Sequence, residues 1–488
     1  MEPLPVTTSN WILDKVSRLV SQVQTDARSD KDKAASGPGP VRSLDARLEG
    51  VVRKGDEALS PRELRRILAE LQSVVDNRVS EAEAGRRASV IAQWYAQAGK
   101  PERIDCLYLM NDKFAHDPQT LHAARAEYEA AQGTPEQGHA EIRLRQALES
   151  PRTRLLQRFA GFEQGMRFLV NLRAELLPLL RTHKGLVALD AELESLFSNW
   201  FDVAFLELRR ISWDSPASLI EKLIRYEAVH AIRSWDDVKN RLDSDRRCYG
   251  FFHPHMPDEP LIFVEVALLD QMADSMAPLL DESACAADLD KATTAVFYSI
   301  SNTQVGLRGV SFGDSLIKRV VEALQQEFPR LKTFATLSPI PGLRSWLGRH
   351  VDAMLEKAGT RMREQLAQAL QTEAAALTGE ALLAAFDGAA ELDRKSPLRK
   401  MLLQCAACYL VETGKDGRPV DSVARFHLGN GARIERLNWM ADGSPKGIRQ
   451  SCGLMVNYLY DLKRLDKYRS QLAEGKIPTA GGLDALAF

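Results

Sequence analysis

The chain is predicted to be α+β in two parts: an all-α helical bundle followed by a mixed α/β acyl-CoA-binding domain carrying a helical insertion. Three observations predict this. The apolar residues of the first half recur at helical spacing with few β-branched runs, for example Leu64, Ile67, Leu68 and Leu71. The period changes near Cys248, where short apolar runs bounded by turn residues begin. Between Gly348 and Leu410 the sequence returns to an Ala/Leu/Glu-rich helical composition. The expected division is residues 1–195 for the helical part and 196–488 for the α/β part.

Residues 25–45, with Ser36-Gly37-Pro38-Gly39-Pro40, read as a solvated flexible segment. Ser60-Pro61-Arg62-Glu63 is a capping box with Pro at the first helical position, so a helix starts there. Further helical stripes are expected at Leu144 and Leu148, at Leu155, Leu156 and Phe159, and at Leu172, Leu176 and Leu179. This half shows no polar cluster suggestive of chemistry, and its expected roles are packing and oligomerisation. In the second half, Leu261 to Leu268 is a near-continuous buried strand, followed by strands at 293–301 and 333–338 with a helix at 314–328 between them. A final strand is expected from Ile434 to Met440, after the turn Gly429-Asn430-Gly431.

A length of 488 residues exceeds a single hydrophobic core. A 45% apolar fraction with a net charge of −2 excludes a nucleic-acid binder and a disordered chain. No apolar run is long enough to span a bilayer, and neither a secretory signal nor a peroxisomal C-terminal address is visible, so a cytoplasmic protein is expected. Six cysteines are too few for a disulfide scaffold. Cys405 and Cys408 have the spacing of a metal or redox pair, but their apolar helical setting reads as buried packing. His253 and His255, flanking Pro254, read as a polar loop pair rather than metal ligands.

The chemistry concentrates between Ser299 and Gly342. A Gly-bearing loop, Gly306-Leu307-Arg308-Gly309-Val310-Ser311-Phe312-Gly313, opens a helix starting at Asp314, an arrangement that offers backbone N–H groups to phosphate. It is neither a Walker loop nor a dinucleotide fingerprint, and by itself it also fits a plain β–α turn. It resembles the pyrophosphate loop of the acetyl-CoA-dependent acyltransferases of the GNAT superfamily, with Ser311 where Gly is usual. The next strand stops at Ser338 because Pro339 and Pro341 interrupt it, which leaves a hydroxyl at a strand end. Ser338 is not in a nucleophile elbow, so a hydrolase triad is poorly supported. His427 stands just ahead of a tight turn, and taken alone it suits a structural role as well as a catalytic one.

Taken in order, Phe297-Tyr298-Ser299-Ile300-Ser301, the 306–313 loop, Leu337-Ser338-Pro339-Ile340-Pro341-Gly342, Phe426-His427-Leu428, Asn430-Gly431-Ala432, Asn438-Trp439-Met440-Ala441-Asp442 and Ser451-Cys452-Gly453-Leu454-Met455 resemble the malonyl-CoA decarboxylases. The resemblance spans most of residues 200–460. It implies a GNAT-like catalytic domain behind a helical oligomerisation domain, with a dimer or tetramer as the assembly. It implies decarboxylation of malonyl-CoA to acetyl-CoA and CO2 with no cofactor, since the thioester itself accepts the electrons. The family's catalytic pair falls on Ser338 and His427, and its CoA loop on Arg308, Gly309, Val310, Ser311, Phe312, Gly313 and Asp314. Tyr460 is a candidate for a supporting hydrogen bond in the substrate site. Family members carry Glu at the position of Ser311, so a carboxylate role there does not carry over. Two other readings are an N-acyltransferase using the same loop on an amine, and a non-catalytic acyl-CoA sensor.

Overall fold

The computed structural model describes residues 42–484 apart from 56, 311 and 313–315. Most of the expected flexible segment therefore lies outside the described residues, as do Ser311, Gly313 and Asp314 of the loop.

Among the described residues, helices make up most of the chain from Leu44 to Trp200. The capping box forms as expected: Ser60 accepts from the Glu63 N–H, the Glu63 carboxylate accepts from the Ser60 N–H, and the helix Pro61–Val75 follows. Its Leu64, Ile67 and Leu71 are buried. The helices Pro151–Ala160, Gly165–Leu179 and Val187–Trp200 bury the stripes at Leu155, Leu156 and Phe159 and at Leu172 and Leu176. The stripe at Leu144 and Leu148 does not face the core. In the helix Gln137–Leu148 only Ala140 is buried, and Leu148 stands exposed. Its neighbour is chiefly the helix Pro118–Ala130, so this pair has little core to face.

The second half is built on one eight-stranded mixed sheet. Strands β1 (Glu207–Ile211), β2 (Arg246–His253), β3 (Met256–Leu269) and β4 (Thr294–Asn302) form an antiparallel meander. β5 (Thr333–Thr336) joins β4 in parallel through the helix Leu316–Glu327. That helix buries Leu316, Ile317, Val320, Val321 and Leu324 along one face. β6 (Ser338–Pro339) and β7 (Arg433–Asn438) lie on either side of β8 (Met455–Leu459), which also touches β5 at Ala335. The expected last strand is thus β7, and three further strands join the expected set: β1 and β2 at one edge of the sheet, and β8 within it, paired with β5, β6 and β7. Pro339 does not end the pairing at Ser338 either. Both residues bridge to β8, Ser338 opposite Val456 and Pro339 opposite Met455.

The ladder between β4 and β5 runs from Thr294/Thr333 to Phe297/Thr336 and then stops. Beyond that point β4 stays with β3 while β6 follows β8. The strands part there, leaving a gap between β4 and β6.

The helical insertion consists of Leu343–Lys357, Thr360–Ala369, Gly379–Asp387 and Pro397–Val411. One apolar core runs through both halves, from Leu64 and Leu172 to Phe297 and Tyr460. Contact between the halves is close: a Cβ on Gly306 would lie 1.9 Å from the Val170 carbonyl oxygen. Among the described residues no helix is long and apolar enough to cross a membrane.

Candidate active site

A cavity of about 750 Å³ occupies the gap between β4 and β6. Its walls include Ser299 from β4, Val310 and Phe312 from the Gly-bearing loop, Ser338 from β6, and His427 and Asn430 from the far side. The structure therefore brings both predicted catalytic residues and two of the loop residues to one cavity.

Ser338 is held by the strand pairing of β6, directly beyond the point where β4 and β5 separate. His427 stands in the last turn of the helix Ser422–Gly429, not in a loop. Asp421 caps the start of that helix, accepting from the N–H groups of Val423 and Ala424, and the Tyr409 hydroxyl donates to the same carboxylate at 3.1 Å. The helix is thereby fixed at the end away from His427. Gly431, at φ +85°, turns the chain back, and the Ala432 N–H returns to the His427 carbonyl.

His427 Nε2 lies 3.1 Å from Ser338 Oγ, and its Nδ1 lies 2.7 Å from the Tyr460 hydroxyl. Ser338 Oγ donates to Thr336 Oγ1 at 2.8 Å, and that oxygen also accepts from the Tyr458 N–H. The network assigns the tautomer. Burial holds the Tyr460 phenol well above its ordinary value, so it keeps its proton at neutral pH and is able to donate or accept. The bond that selects the tautomer is the one from Ser338 Oγ to Thr336, which leaves Ser338 Oγ as an acceptor for a proton on Nε2 and leaves Nδ1 to accept from Tyr460. Nε2 then carries the proton and donates to Ser338, whose own proton is already directed at Thr336. The Tyr458 ring stacks on the imidazole with centroids 4.6 Å apart.

Ser338, His427 and Tyr460 are each nearly inaccessible to solvent. Burial alone pushes the His427 imidazolium down to about 3, with no neighbouring charge to oppose it. The free site therefore contains a neutral imidazole, not one that titrates near neutral pH. The imidazole is oriented by a phenol rather than by a carboxylate, so the acid–imidazole–serine order of a hydrolase triad is missing among the described residues.

Of the loop, Val305–Leu307 forms a short 3-10 turn, Arg308 and Gly309 are exposed, and Gly309 adopts φ +83°, a conformation that suits only glycine well. Tyr460 follows β8 and is fixed by its N–H to the Phe334 carbonyl at 2.8 Å. Other residues singled out in the sequence lie in structural settings. Cys405 is buried in the helix Pro397–Val411. The Asp442 carboxylate accepts from the Ser444 N–H, and Ser451 Oγ bonds the carbonyls of Gly447 and Leu454. His253 and His255 stack at the β2–β3 turn, where His253 Nδ1 accepts from the His255 N–H. Among the described residues no group of three or more His, Cys, Asp or Glu side chains is placed to hold a metal ion.

One part of the site was not expected. The buried Glu227 carboxylate accepts from Ser299 Oγ at 2.8 and 2.9 Å, from Ser301 Oγ at 3.0 Å, and from the N–H groups of Val229 and His230. Because the Ser299 proton is directed at Glu227, the hydroxyl offers the cavity an acceptor. Glu227 has no motif around it and reaches Ser299 across 72 residues, so nothing local marks it.

The malonyl-CoA decarboxylase C-terminal domain family matches residues 204–486, and the corresponding N-terminal domain family matches residues 114–201. The chain belongs to the malonyl-CoA decarboxylase family. Mitochondrial malonyl-CoA decarboxylase of the goose Anser anser anser is 36% identical over 410 residues, covering 78% of this chain and 79% of the goose protein. The Rattus norvegicus enzyme is 39% identical over 337 residues, 66% of this chain and 68% of the rat protein. The crystal structure of malonyl-CoA decarboxylase from Rhodopseudomonas palustris superimposes with a TM-score of 0.74 at 40% identity, over 86% of this chain and 99% of that one. The structure of malonyl-CoA decarboxylase from Cupriavidus metallidurans gives 0.70 at 43% identity, over 87% of this chain and all of that one.

Proposed function

We propose that the protein converts malonyl-CoA to acetyl-CoA and CO2, with Ser338 and His427 as the catalytic pair and the 308–314 loop as the CoA pyrophosphate cradle. The observation that carries this reading is the hydrogen-bonded chain Tyr460–His427–Ser338–Thr336 at the wall of the cavity that the loop also lines.

The bond between the α-carbon and the carboxyl carbon breaks, and its electron pair passes into the thioester as an enolate while CO2 leaves. A proton then adds to the α-carbon, so each turnover consumes one proton from solvent. The thioester is the electron sink, and the reaction needs no further cofactor. What the protein supplies is position, hydrogen bonds to the developing enolate, and the proton. The Ser338 hydroxyl binds the malonyl group and orients it. His427 is the general acid. Its imidazole is neutral in the free site, and the bound malonyl carboxylate, followed by the enolate, provides the negative charge that favours its protonation. Tyr460 keeps the ring aimed at Ser338 in both states, because a phenol can donate to the neutral Nδ1 or accept from the protonated one.

Purified protein incubated with malonyl-CoA, with no added metal or cofactor, is expected to release CO2 and acetyl-CoA in equal amounts. CoA binding with no turnover of the thioester would leave the sensing reading in its place. Acetyl transfer to an added amine would favour the acyltransferase.

A further inference from the structure

We infer that Arg173, in the helical half, is a positioning residue for the CoA loop. The inference rests on the reading of residues 308–314 as the pyrophosphate cradle. Arg173 lies in the helix Gly165–Leu179 and is 1% exposed, unusual for an unmatched arginine and explained by its partners. Its Nη1 donates to the carbonyl oxygens of Gly306 at 2.9 Å and Arg308 at 2.8 Å. Its Nε donates to Asp190 at 2.8 Å and its Nη2 to Glu194 at 2.9 Å. Both carboxylates stand one turn apart on the helix Val187–Trp200, so the guanidinium is fixed on two sides before it meets the loop.

The consequence for the loop follows from peptide planarity. A trans peptide points its C=O and N–H in opposite directions, and no cis bond occurs among the described residues. With the Arg308 carbonyl drawn towards Arg173, the N–H of Gly309 is turned away from it, and it meets no backbone acceptor among the described residues. That is the orientation an anion-binding loop requires. The left-handed φ of +83° at Gly309 completes the turn. Gly306 lets the loop lie against the helix itself, since any side chain there would meet the Val170 carbonyl. Two carboxylates balance the Arg173 charge, so it acts through loop geometry and not as a cation for phosphate. Lysine, with one compact ammonium group, cannot reproduce four bonds spread over a planar fork.

The test compares kcat/KM for malonyl-CoA with kcat/KM for malonyl-pantetheine, which lacks the nucleotide part and does not reach the loop. Wild type is expected to prefer malonyl-CoA by about tenfold or more, because nucleotide binding energy is used there. R173K is expected to lower that preference by about tenfold, mainly through the KM for malonyl-CoA. D190N, which loosens the same guanidinium while leaving it in place, is expected to shift the preference the same way by a smaller factor. It decides the question if R173K fails to fold by circular dichroism. Equal losses on both substrates, with the preference unchanged, would show Arg173 to be merely structural and overturn the inference. A wild-type preference near one would instead remove the cradle reading, and this inference with it.

Discussion

The neutral His427 carries a stability consequence that can be measured apart from activity. In an unfolded chain a histidine titrates near 6.5, and burial pushes the folded His427 down to about 3. Between those values the unfolded chain binds a proton that the folded one does not. The stability His427 contributes by staying neutral is therefore complete above pH 6.5 and is lost as pH falls towards 3. Each pH unit inside that window is worth about 1.4 kcal/mol, so at pH 5 the loss is about 2 kcal/mol. His427→Gln keeps the volume and polarity of the site but cannot titrate. Urea unfolding at pH 7.5 and pH 5 should show wild type losing about 2 kcal/mol more than the variant between the two conditions. His230, also pushed down by burial, to about 4, titrates in both proteins and cancels from the comparison. Equal acid losses in the two proteins would mean that the folded imidazole is already protonated, and the neutral-imidazole account would be wrong.

The same neutrality predicts that kcat/KM shows no inflection near pH 6.5 due to His427. An inflection there that disappears in His427→Gln would contradict it. Tyr460→Phe removes the donor to Nδ1 and should cost about 1–3 kcal/mol of orientation, which is about 5- to 150-fold in kcat. An unchanged kcat would take Tyr460 out of the site's working parts. Gly309→Val forces a β-branched side chain into φ +83° and should raise the KM for malonyl-CoA. A change confined to kcat would argue against the cradle.

What the sequence made legible follows from where the signals lie. The capping box at Ser60 and the apolar run at 261–268 act through neighbours in the chain, and both formed as read. Ser338 and His427 are 89 residues apart, and only the ordered family phrases joined them before the structure showed Oγ and Nε2 at 3.1 Å. β8 was hidden because its centre, Asn457, looks unlike a buried strand residue. The fold accommodates it by pairing its side chain with the Thr336 and Ala273 carbonyls and with Asn438. β1 carries Glu207, Arg209 and Arg210 on five residues, with only Ile211 buried, and so has no apolar period. Helical spacing located Leu144 and Leu148 on a helix but could not say whether a core lay opposite. Nothing local marks Arg173 either, since the loop it holds lies more than 130 residues further on.

The most direct test of the account measures malonyl-CoA turnover by Ser338→Ala and His427→Asn alongside the affinity of each for CoA. With the loop intact, CoA affinity should stay near wild type while kcat falls about 100-fold or more in each variant. Near-normal kcat in either one would contradict the claim that the Ser338–His427 pair performs the decarboxylation chemistry.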